Sequence, residues 1–141
     1  MSGQVNWYGE DVKLRLEDAT ADLLARAAFQ IEAETKVNIT SNGQVDTGFM
    51  RASVYGIAPK DADEAGGTDY QQAKASANGQ NPDAEMARKP SVPDDGAAVC
   101  VGAAYAAYQE AQHPFLYPAI NRVQRQMGGT VEQVARDRGL D

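Results

Sequence analysis

Residues 10–38 read EDVKLRLEDATADLLARAAFQIEAETKVN. Val12, Leu16, Ala19, Leu23, Ala27 and Ile31 recur at helical spacing, with Leu24 and Ala28 widening the stripe. Lys13, Glu17, Asp18, Asp22, Arg26 and Glu32 are expected mostly on the other side. The spacing predicts one helix, a rod of roughly 40 Å. It ends where Asn38-Ile39-Thr40-Ser41-Asn42-Gly43 introduces turn formers. One amphipathic helix does not bury its own stripe, so a sheet or further helices must cover it.

Working outward, Ser53-Val54-Tyr55-Gly56-Ile57 and Ala97-Ala98-Val99-Cys100-Val101-Gly102 are the two strand candidates. Between them, residues 59–96 hold only Tyr70, Met86 and Val92 as sizeable apolar side chains, and four of the six prolines. With eight acids against four bases, this segment is too polar to fold alone. It is expected to be an extended, poorly packed arm joining two antiparallel strands. Further on, Leu116, Ile120, Val123, Met127, Val131 and Val134 keep helical phase through Gly128-Gly129. That favours one kinked helix over 116–138, against a break at the glycines. The expectation is a single α+β domain over 1–141: a long N-terminal and a C-terminal helix packed on a small antiparallel sheet. Leu16, Leu23, Ile31, Val54, Val99, Val101, Leu116, Ile120 and Val123 are its predicted packing positions.

Thirteen Lys+Arg against twenty Asp+Glu give a net charge of -7, which argues against a protein whose main task is neutralising phosphates. A DNA-binding role for Arg122, Arg125, Arg136 and Arg138 conflicts with that balance. No apolar run approaches a membrane span, no secretory leader is visible, and assembly in a cytoplasm is expected. One cysteine, Cys100, excludes an internal disulfide; with the single His113 it excludes a Cys/His zinc cluster. No cofactor or metal motif is present, and no enzymatic activity is expected.

Asp46-Thr47-Gly48 matches the aspartic-protease triplet, which a small subunit would complete by dimerising. Its context fails: bulky Phe49 follows, and a loop precedes it. The better reading is a capped turn, with Gly48 in a conformation other residues avoid and Arg51 pairing with Asp46. Tyr105-Ala106-Ala107-Tyr108-Gln109-Glu110 and His113-Pro114-Phe115-Leu116-Tyr117-Pro118-Ala119 hold four of the ten aromatics. The two prolines set a bend into the last helix, while the rings serve either as its anchor or as an interface.

The order of these blocks resembles the neck or tail-completion (head–tail joining) proteins of long-tailed bacteriophages. Their signature is V-D-T-G-x-L-R-x-S, then Y-A-x-Y-x-E followed closely by P-F-L-x-P-A. Here the blocks are Val45-Asp46-Thr47-Gly48-Phe49-Met50-Arg51-Ala52-Ser53 and the Tyr105–Ala119 stretch, so the match spans most of the chain outside 59–96. Met50 replaces the usual Leu, and the family's Phe-Gly-Thr after the glutamate is absent. The resemblance implies a structural virion protein, assembled as a homo-oligomeric and commonly six-fold ring at the head–tail junction. Its partners would be connector or stopper and tail-tube or terminator proteins, with DNA only as passing cargo. A tail terminator capping the tube is the alternative. Asp46, Gly48, Arg51, Tyr105, Tyr108, Glu110, Pro114 and Phe115 are the implied interface or joint residues. The arm is expected to order only on assembly, so that deleting 60–95 leaves the domain folded.

Overall fold

The computed structural model describes residues 10–43, 48–62 and 67–137. Helix α1 (Glu10–Ser41) is followed by the short α2 (Phe49–Ala52) and strand β1 (Val54–Ile57). Helix α3 (Tyr70–Gln80), strand β2 (Ala98–Val101), helix α4 (Ala106–Gln112) and helix α5 (Leu116–Asp137) complete the chain. The architecture is α+β: the long N-terminal helix packs against the C-terminal helix and a two-stranded antiparallel sheet. The strands pair in the register Val54↔Val101, Tyr55↔Cys100, Gly56↔Val99 and Ile57↔Ala98.

Helix α5 lies antiparallel to α1. Phe115 at its start meets Asn38, Arg122 pairs with Glu34 at 3.5 Å, and Asp137 at its end pairs with Arg26 at 2.6 Å. Phe115, Ala119 and Val123, each four residues apart, are buried, with Leu116, Ile120 and Met127 half-buried beside them. The helix runs unbroken through Gly128-Gly129, the alternative that the common phase of its apolar residues favoured. With Arg122 turned to Glu34 and Arg136 to Glu132, much of the basic character of α5 is matched within the chain.

The phase of α1 differs from the expected stripe. Its most buried row is Ala21, Ala25, Ala28, Glu32, Thr35 and Ile39, while Leu23 and Ile31 are half-buried. The Leu16 side chain lies outside the described residues. α1 is covered on more than one side, by α5 and by the sheet, so the row turned most deeply inward falls between the larger apolar rows. Two acids expected on the outer side, Asp22 and Glu32, are buried.

Glu32 shows what such burial requires. Its residue is 4% exposed, and its carboxylate accepts from the Thr68 backbone N–H (Oε1, 3.0 Å) and from Lys36 Nζ (Oε2, 3.1 Å). A buried carboxylate is tolerated when its lone pairs meet donors in this way. The Thr68 carbonyl in turn accepts from the Gly56 N–H at 2.9 Å. The chain beyond β1 is therefore tied to both α1 and the sheet at one residue.

The 59–96 segment requires a correction. It is not extended and poorly packed throughout, because residues 70–80 form α3. Asp69 and Gln72 close a capping box, with Gln72 N–H donating to Asp69 Oδ1 at 2.8 Å and Asp69 N–H to Gln72 Oε1 at 3.0 Å. Ala73 and Ala77 are fully buried, and Ala77 joins the core of Ile39, Phe49, Met50, Val54, Ala106 and Phe115. Two small methyls and a good cap hold a helix that a search for large apolar residues overlooks. Deleting 60–95 would open this core, so the expected tolerance of that deletion is withdrawn. From α3 to residue 96 the chain is non-helical, and Met86 bridges to Ala103 beyond the end of β2.

Candidate functional site

The first block enters the described residues at Gly48, whose φ of 84° is the left-handed conformation that favours glycine. Phe49 and Met50 follow into the core, and Arg51 turns outward, donating to Thr40 Oγ1 at 3.3 Å. Asp46, and with it the expected Asp46–Arg51 pair, lies outside the described residues.

Ser53 ends the block as a buried junction. Its hydroxyl donates to the Met50 carbonyl at 2.7 Å and accepts from the Ala103 N–H at 3.0 Å. Its own carbonyl accepts from the Gly102 N–H at 2.9 Å. One serine thereby ties the first block to the chain entering the second, fifty positions later.

The second block is a helix–corner–helix. The Glu110 carboxylate reaches past the corner to accept from the N–H of Phe115 (Oε2, 2.8 Å) and Leu116 (Oε1, 2.9 Å). An anion at a helix N-terminus satisfies unpaired donors and meets the favourable end of the helix dipole. Pro118, in the first turn, brings no N–H that needs a partner. From the other side, Asn38 Nδ2 donates to the Phe115 carbonyl at 2.9 Å and Asn42 Nδ2 to the Pro114 carbonyl at 3.0 Å. The asparagines that looked like helix-ending residues therefore hold the corner.

The implied joint residues thus separate into two sets. Gly48, Glu110 and Phe115 are committed to the fold itself. Arg51, Tyr105, Tyr108 and Pro114 are exposed, with Tyr108 at 64% and neighbouring Tyr117 at 66%. His113 is exposed in the same corner. Cys100, read as a buried small hydrophobe, is half-buried opposite Tyr55. Burial raises both acids, the Tyr55 phenol far above its ordinary range, while the Tyr55 O–H donated to Cys100 partly offsets the rise of the thiol. Tyr70 meets the Tyr55 ring edge-on at 5.3 Å. Among the described residues no three His, Cys, Asp or Glu side chains converge as metal ligands, and no helix is long and apolar enough to cross a membrane.

A groove of about 530 Å³ opens between α1, α2 and α3, lined by Lys36, Arg51, Thr68, Gln72, Ser76 and Gln80, with Gly48 at its edge. Sequence reasoning missed it because it depends on α3. Asp69-x-x-Gln72 was the available signal. No family model, curated protein or solved structure matches this chain.

Proposed function

We propose that this protein is a structural component of the phage head–tail junction, working as a ring that fits against its own copies and its neighbours. One observation carries the reading: the two blocks that resemble the neck and tail-completion proteins meet in one physical unit. Phe49 and Met50 of the first share a core with Ala106 and Phe115 of the second, and Ser53 ties the first by hydrogen bonds to the chain entering the second. Arg51, Tyr105 and Tyr108 of these blocks are left exposed. Tyrosines at such exposure favour protein contact, since they bring large contact area at low entropy cost. In this role the chain performs no bond-making chemistry.

The test is particle composition. Mass spectrometry of purified virions, with antibody labelling under the electron microscope, should place the protein at the neck. Disrupting its gene should yield filled heads and free tails that do not join. Joined, infectious particles lacking the protein would overturn the proposal.

A further inference from the structure

In a chain of net charge -7, the groove between α1, α2 and α3 stands apart: among the described residues its lining carries Lys36 and Arg51 and no carboxylate. Lys36 is matched by the buried Glu32, at 3.1 Å. Arg51 has the neutral Thr40 hydroxyl as partner, and among the described residues it makes no ion pair. Gln72 has its carbonyl oxygen occupied by the Asp69 N–H, so its amide group is left to act as a donor. Ser76 and Gln80 add further hydrogen-bonding groups. A concave surface with several neutral donors and a cation that no carboxylate among the described residues pairs suits a carboxylate-bearing peptide.

The same chain carries a convex counterpart. Pro93-Asp94-Asp95-Gly96 is a closed turn, with the Gly96 N–H donating to the Pro93 carbonyl at 2.9 Å. The Lys60 N–H holds the Asp94 carbonyl at 2.8 Å. Both aspartates are exposed, and the turn stands beyond the Ile57↔Ala98 end of the strand pair. None of its residues lines the groove of its own copy. A turn already closed by its own hydrogen bonds costs little ordering on binding.

We propose that the Pro93–Gly96 turn of one copy docks in the Lys36/Arg51 groove of the next. Turn and groove are different patches of one surface, so the contact is heterologous and propagates head to tail, closing as a ring where the rotation permits. The biological setting rests on the head–tail reading, but the contact is a property of the purified chain.

The experiment is light scattering and sedimentation of the purified full-length protein with two charge-reversed variants, Asp94→Lys/Asp95→Lys and Arg51→Glu. Wild type should self-associate, less so as salt rises. Each variant should melt like wild type yet associate about tenfold more weakly or worse. Mixing the two variants in equal amounts should restore association, since each then offers the complement of the other. A wild type that stays monomeric, an association indifferent to both reversals, or a mixture no stronger than its parts would each overturn the pairing. Particle composition is measured independently of all three, so the head–tail reading can stand when this contact falls.

Discussion

Replacing Glu110 by alanine separates a folding role from an interface role at one position. The carboxylate serves two donors in different surroundings. Phe115 is 1% exposed, so water does not readily replace the lost partner of its N–H, and an unsatisfied buried donor costs about 1–3 kcal/mol. Leu116 is only half-buried, so solvent takes over part of its bond, and the loss there is nearer 0.5 kcal/mol, at the low end for a helix cap. Together these give a destabilisation of about 2.5 kcal/mol. For a chain of this size that lowers the melting temperature by roughly 7 °C. Glu110→Gln keeps an acceptor oxygen but loses the charge at the helix N-terminus, and should cost about 1 kcal/mol. The assay is urea denaturation followed by circular dichroism, with thermal melts alongside. If Glu110→Ala unfolds within about 0.5 kcal/mol of wild type, the carboxylate is not a working cap. Impaired assembly without lost stability would then move Glu110 to the interface.

Three further outcomes follow from the same structure. A Cβ at Gly128 or Gly129 would meet no atom within 4 Å, so Gly128→Ala and Gly129→Ala should each stabilise α5 by up to about 1 kcal/mol in denaturant titrations. Gly48→Ala should instead destabilise by about 1–2 kcal/mol, since its φ of 84° disfavours a side chain and the new methyl would lie 2.9 Å from Gln80 Oε1. Cys100 and Tyr55 both lose protons less readily in the fold than their ordinary values of 9.0 and 10.0. Above those values the unfolded chain releases protons that the native chain keeps, so stability is intact below pH 9.0 and falls as pH rises further. Denaturation midpoints from pH 8 to about 11 should decline, and Tyr55→Phe should flatten the upper part of that decline.

The elements legible in the sequence were those that announce themselves by large side chains. Helix α5 could be read because Leu116, Ile120, Val123 and Met127 lie on one side of it, and the glycines do not interrupt that row. β1 and β2 were found within one residue of their observed ends. Helix α1 was found, but with its face misplaced, because an element covered on two sides need not turn its leucines innermost. Burial of Glu32 depends on the Thr68 N–H, thirty-six positions away, which no local pattern reveals. Helix α3 went unread because two alanine methyls supply its buried contacts. The groove was lost with it.

Of the motif residues, several that look functional are architectural. Gly48, Ser53, Glu110 and Phe115 are all used in turning, tying or capping the chain, and Asn38 and Asn42 complete the corner from α1. Under the proposed assembly role, these residues set the shape that the chain presents to its neighbours. Among the exposed residues between them, Tyr108 is the one placed to specify a partner, because at 64% exposure its replacement should leave the corner intact. It follows that the two kinds of residue should fail differently. Substitutions of the first kind should lower stability and assembly together, whereas one at Tyr108 should lower assembly alone. A Tyr108→Ala protein that lost stability as severely as Glu110→Ala would contradict that division, since a side chain exposed at 64% has little packing to lose.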